Sequence, residues 1–306
     1  MTLSGPSENP ELTMDRTTLA AIFSITVLLG ACESGELMTY QDGFAPVTDG
    51  SLYYQVAGSG DTVVLIHGNA GDHRHWNNQF EYLASRFRVI RYDVRGYGKS
   101  SVPIIGAPYS DSADLAALLD YLDIGDAHIV GWSMGSGVAF DFATAFPERA
   151  KSLVSVGPWV NGYASEAVDA LIVQMGAVAD AVAEGGALAG SNAFTDLVLG
   201  ESIFKESADE FMRKVGSEYS WWAFANPSQA IPMEPSPASQ LSNLAMPVLV
   251  ITAEYDLPAC REIGDLINST VPNARQVVLQ NTGHLMHIER PDAFNAELHA
   301  FLNDSR

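Results

Sequence analysis

The chain alternates short apolar runs with segments whose apolar residues recur every three to four positions. The runs at Ser51–Ala57, Thr62–Ile66, Arg88–Asp93, Ala127–Trp132, 152–156, Pro247–Thr252 and Arg275–Gln280 have the length and β-branched content of strands. Between them, Trp76, Phe80 and Leu83 predict a helix over about 76–85. Leu115, Leu118, Leu119 and Leu122 predict another over about 111–122; a third spans about 134–146, and Pro291–Leu302 closes the chain. Strands alternating with amphipathic helices imply a mostly parallel sheet with right-handed crossovers and helices on both faces.

That alternation stops between about 159 and 243. Val168, Leu171, Ile172, Met175, Val178 and Val182 keep helical spacing until Gly185 and Gly186 stop the run. Ser207 with Glu210 reads as a capping box that opens a second helix. Pro227, Pro232, Pro235 and Pro237 then lead the chain back. The pattern predicts a helical cap with its return linker over 159–243, inserted into a core made of 50–158 and 244–306. Residues 33–49 carry few apolar anchors and read as a tether.

The N-terminus has its own pattern. Residues 17–31 form an apolar core, too short for the roughly 20 residues of a membrane span but suited to a signal peptide. Leu29-Gly30-Ala31-Cys32 resembles a bacterial lipobox, so 1–32 is expected to be a signal segment, with Met14 as an alternative start and Cys32 as the lipidated residue. The expected location is outside the cytoplasm, membrane-anchored through that lipid, on the periplasmic or cell-surface side; a cytoplasmic protein is the alternative. A disulfide between Cys32 and Cys260, the only two cysteines, is the competing use of that thiol.

With 306 residues and 47% apolar content, one large domain suffices. A net charge of −21 argues against nucleic acid and anionic membrane surfaces as partners; a soluble or salt-adapted surface is its main reading and steering of a cationic substrate the lesser one. No residue pattern sets an oligomeric state. No cluster has metal-ligand spacing, and no Arg or Lys group suggests clamping of phosphate or carboxylate.

The chemistry centres on Gly131-Trp132-Ser133-Met134-Gly135, between a strand and a helix. A serine at such a turn is pushed clear of the sheet, and the helix start offers free N–H groups to an oxyanion. Around it stand His67-Gly68-Asn69, the loop Asp93–Ser100, the strand-end Asp256, and Gly283-His284. In these five motifs and their order, from about residue 40 to 304, the chain resembles the α/β-hydrolase superfamily, specifically its capped esterase, lactonase and cofactor-free haloperoxidase-like branch. The resemblance implies an α/β fold with a mostly parallel, doubly wound, eight-stranded sheet and an inserted helical cap. It implies a cofactor-free serine hydrolase with Ser133 as nucleophile, His284 as base and Asp256 as the acid that orients it. The backbone N–H groups of Asn69 and Met134 correspond to the oxyanion hole.

His287 and Glu254 are the rivals to His284 and Asp256. Asp93, Arg95 and His67 are expected to hold loops rather than touch substrate. Trp132, Trp159, Trp221 and Trp222 are candidates for an apolar pocket suited to a small uncharged ester or lactone. Serine at 133, where dehalogenases and epoxide hydrolases of the superfamily carry aspartate, implies an acyl-enzyme. Cofactor-free perhydrolysis and C–C bond hydrolysis remain alternatives, as does a surface-anchored binding protein without turnover.

Overall fold

The computed structural model describes residues 24–27 and 39–305. Among the described residues, nine strands form one sheet. They are β1 (Ser24–Val27), β2 (Thr39–Val47), β3 (Gly50–Ala57), β4 (Thr62–Ile66), β5 (Arg88–Tyr92), β6 (Ala127–Trp132), β7 (Ala150–Val156), β8 (Val248–Ala253) and β9 (Ala274–Leu279). The spatial order is β1-β2-β3-β5-β4-β6-β7-β8-β9. β1, β2, β3 and β5 pair antiparallel in succession, and all pairings from β5 through β4 to β9 are parallel. The eight strands from β2 onward are the expected mostly parallel sheet, and β1 adds a ninth at its edge.

One expectation needs correction here, and another falls mostly outside the described residues. The stretch expected to be a tether contains β2, which forms a hairpin with β3 across Thr48 and Asp49. Tyr40 and Ala45 are buried while their neighbours face solvent, so this half-exposed strand shows apolar residues only at intervals. The segment expected to be a signal core lies mostly outside the described residues, as does Cys32, but its residues 24–27 form β1.

Every residue of β4, β6 and β8 is buried, which explains their unbroken apolar runs. Helices α1 (Asn77–Ala84), α2 (Asp111–Tyr121) and α3 (Met134–Ala145) connect the central strands. The cap follows β7 and consists of α4 (Glu166–Leu199), α5 (Glu206–Glu218) and the short α6 (Trp222–Ala225). At Gly186 the backbone of α4 is non-helical, at φ 70°, so the glycine pair kinks the helix and a second segment runs on to Leu199. The capping box at Ser207 does not form: α5 begins at Glu206, and Ser207 Oγ donates to Phe204 O instead. Helices α7 (Pro258–Thr270), α8 (Met286–Glu289) and α9 (Pro291–Asp304) complete the core.

Candidate active site

Strand β6 ends one residue before Ser133, and α3 begins one residue after it. Ser133 stands at φ 54°, ψ −119°, a region that side chains normally avoid. Its N–H donates to Val156 O at 2.9 Å, which pins the turn to β7. The flanking glycines are required sterically. A Cβ at Gly131 would lie 2.2 Å from Gly135 O, and one at Gly135 would lie 2.4 Å from Ile66 O.

The loop after β9 carries His284, and the loop after β8 carries Asp256. The two side chains meet at 2.6 Å between Nδ1 and Asp256 Oδ1, with both residues buried. Asp256 Oδ1 also accepts the Leu257 N–H at 2.8 Å. The rivals point elsewhere: Glu254 accepts the Asn281 N–H, and His287 packs between Trp76, Trp132 and Phe294. Ser133 and His284 share the wall of one cavity of about 380 Å³.

Gly157, at φ 49°, lies directly against the imidazole; a Cβ there would stand 2.6 Å from His284 Cε1. Gly157→Ala should therefore displace the ring and lower kcat by about a hundredfold. Steady-state kinetics beside a thermal melt would separate this displacement from unfolding.

Asn69 and Met134 line the same cavity, and no acceptor for either backbone N–H is found among the described residues. Tyr97 O–H donates to Asn69 Oδ1 at 2.6 Å, and its ring stacks on Tyr219 of the cap at 5.1 Å. The neighbouring loops are tied down. Asp93 receives the N–H groups of His73 and Lys99, and Arg95 forks onto Asp114 with both bonds at 2.7 Å. His67 Nε2 accepts the Val94 N–H, leaving Nδ1–H to donate to Gly68 O.

The four tryptophans divide. Trp159 lines the catalytic cavity. Trp132 is buried beneath it, and its Nε1–H donates to His284 O at 2.9 Å, so it supports the histidine loop instead of meeting substrate. Trp221 is buried inside the cap, bonded to Gly216 O. Trp222 lines a smaller neighbouring cleft with Tyr97 and Tyr109. The pocket wall is aliphatic and aromatic: Val138, Leu171, Met175, Phe194 and Val198 face it.

Sequence reasoning missed Glu289. Its Oε2 accepts from Ser202 Oγ and from the Gly283 N–H, bracing the residue before His284. It also missed Asp111, which shares the cavity wall with Ser133. Asp256, Cys260 and His284 hold donor atoms within 4.8 Å of one another, as do Asp72, His73 and Asp93. In each trio a carboxylate–imidazole hydrogen bond already occupies a ligand position. The Cys260 thiol is buried, and desolvation pushes its pKa up.

Two further histidines behind the site, His75 and His287, are buried with no hydrogen-bond partner on either ring nitrogen among the described residues. Desolvation first, and the neighbouring His67 second, push His75 down to about 3; desolvation, then His75, push His287 well below its ordinary value. Both are neutral in the fold and protonate more readily in the unfolded chain. Their contribution is complete above about pH 6.5 and is lost as pH falls from there toward their lowered folded values. Urea unfolding between pH 7 and 5 should show falling stability, and His75→Leu should remove about one proton from that slope.

Fold and site together define an α/β hydrolase, built on a doubly wound sheet with a serine at the turn after its central strand. The chain belongs to the alpha/beta hydrolase fold family, whose model matches residues 61–291. It is similar in structure to the enol-lactonase from Burkholderia xenovorans, with a TM-score of 0.73 and 25% identity over 85% of this chain and 100% of that one. A bromoperoxidase from Bacillus anthracis gives a TM-score of 0.71 at 26% identity, covering 86% and 99%. In sequence, the chain is 28% identical over 274 residues to a Bacillus subtilis protein provisionally named a 2-succinyl-6-hydroxy-2,4-cyclohexadiene-1-carboxylate synthase, covering 84% of this chain and 96% of that one.

Proposed function

We propose that this chain is a serine hydrolase that cleaves a carboxylic ester or lactone through an acyl-enzyme. One observation carries the reading: a buried carboxylate–imidazole pair at 2.6 Å whose histidine lines the same apolar cavity as a serine held at φ 54°. No hydrogen bond joins Ser133 Oγ to His284 among the described residues, so the proton-transfer contact forms with substrate in place. Ser133 Oγ attacks the carbonyl while His284 takes its proton. The oxyanion receives the N–H groups of Met134 and Asn69, and His284 then protonates the leaving alkoxide. Water, deprotonated by the same histidine, releases the acid. The likeness to the Burkholderia enol-lactonase supports the substrate class.

A fluorophosphonate probe followed by peptide mapping tests this: the adduct should sit on Ser133 alone. A folded, fully unreactive protein would overturn the assignment.

From the apolar run at 17–31 and the Leu29-Gly30-Ala31-Cys32 pattern we separately propose that the domain lies outside the cytoplasm, tethered by a lipid on Cys32. Cell fractionation of the parent and Cys32→Ala, with mass spectrometry of the N-terminus, tests it. An uncleaved, soluble parent chain, with β1 retained on the sheet, would overturn the anchor and leave the hydrolase reading intact.

A further inference from the structure

A second cavity of about 630 Å³ adjoins the catalytic one, and Asp111, Asn161 and Ala230 belong to the walls of both. Its far side adds Asp141 and Glu234, and no Lys or Arg lines either space. The shared wall is built from core and cap together. Asp111 is the first residue of α2, Asp141 projects from α3, and the return segment of the cap pairs with Tyr109 through Ile231 N–H to Tyr109 O at 2.8 Å.

Asp111 and Asp141 are half-buried residues, and in each the Oδ1 atom is enclosed without the hydrogen-bond partner that a buried carboxyl oxygen normally has. Asp111 accepts no hydrogen bond from any described residue, and its Oδ1 is shut off from solvent. The cation that acts on it, Arg95, is committed to Asp114 through Nε and Nη2. Asp141 Oδ2 accepts the Asn161 side-chain N–H at 2.9 Å, but its Oδ1 is buried with no partner. Desolvation, then repulsion from Asp114 and Asp141, push Asp111 up to about 7; desolvation pushes Asp141 up to about 6. The start of a helix favours a carboxylate at Asp111. It gives no reason for Asp141, which lies midway along α3 and lines the same second cavity.

Resting on the serine-hydrolase reading, we propose that the substrate carries a protonated amine, held by Asp111 and Asp141 in the second cavity while its acyl carbonyl lies against Ser133. The N–H groups of an ammonium would supply the donors these oxygens lack, and its charge would keep both acids ionised. Asn161 is suited to orient the junction: it takes the Trp159 indole N–H on Oδ1 and gives its own N–H to Asp141. The apolar, tryptophan-lined cleft read from the sequence pointed to an uncharged substrate. The acids at the junction reverse that expectation for one end of the molecule.

Two isosteric pairs of esters test the proposal by pH-stat titration. Dimethylaminoethyl butyrate against isopentyl butyrate places the charge on the alcohol side; ethyl dimethylaminobutyrate against ethyl methylhexanoate places it on the acyl side. In at least one pair the ammonium ester should have the higher kcat/KM, by about tenfold or more. That ratio should fall by about tenfold in Asp111→Asn, and also in Asp141→Asn, which keeps the test open if one variant folds poorly. Preference for the neutral ester in both pairs, or a ratio unchanged in both variants, would overturn the proposal. If none of the four esters is turned over, the hydrolase reading fails. The ammonium site is then decided by calorimetry of dimethylaminoethyl butyrate on Ser133→Ala protein. Binding that is lost on adding Asp111→Asn sustains the site, and no binding removes it.

Discussion

Ser133→Ala should lower kcat for ester hydrolysis by roughly four to six orders of magnitude while the protein stays folded. The side chain makes no hydrogen bond among the described residues, so its removal leaves no buried partner unsatisfied. The backbone at φ 54° is as strained for alanine as for serine, and the melting temperature should hardly move. Ser133→Gly relieves that strain and should stabilise the fold by about 1 kcal/mol while abolishing turnover. A nucleophile kept at a stability cost is the expected signature of a functional strained residue. Alanine protein that retained more than a few per cent of the parent rate would rule out the acyl-enzyme.

Asp256→Asn should cost about four orders of magnitude in kcat at neutral pH, with KM little changed. Two causes act together. If the amide turns its NH2 toward His284 Nδ1, the ring keeps its proton on Nε2, the nitrogen that must receive the serine proton. If it keeps its oxygen there, beside the Leu257 N–H that Asp256 now accepts at 2.8 Å, the tautomer survives but no charge faces the imidazolium. Glu254→Gln is the control, since Glu254 serves only the Asn281 N–H near the surface and its variant should change kcat less than about threefold. Equal losses in the two variants would remove Asp256 from its role.

Much of this molecule was legible in its sequence, for reasons that differ along the chain. β4, β6 and β8 are buried on both faces, so their strands are continuous apolar runs that sharp turns bound on either side. Ser133, Asp256 and His284 stand at strand ends, where glycines or loop residues mark the turn. β2 was illegible because a strand half exposed to solvent has neither an apolar run nor a clean alternation around Gly43 and Pro46. Trp132 and Trp221 misled for the opposite reason: a large aromatic ring has the same composition signal whether it meets substrate or fills the core. Asp111 and Glu289 gave no signal because their meaning is tertiary. An acidic residue at a helix start looks like an ordinary dipole partner until a cavity and a second acid are found opposite it.

Tyr219 stacks on Tyr97, and Tyr97 grips Asn69. These three residues come from the cap, the loop after β5 and the loop after β4, so the cap and the turn that carries Asn69 are one mechanical assembly. A cap transplanted from another member of the fold would not behave as an interchangeable cassette here. Unless the graft brought its own aromatic ring to cover Tyr97, chimeras made to change substrate range would lose rate on every substrate, old and new alike.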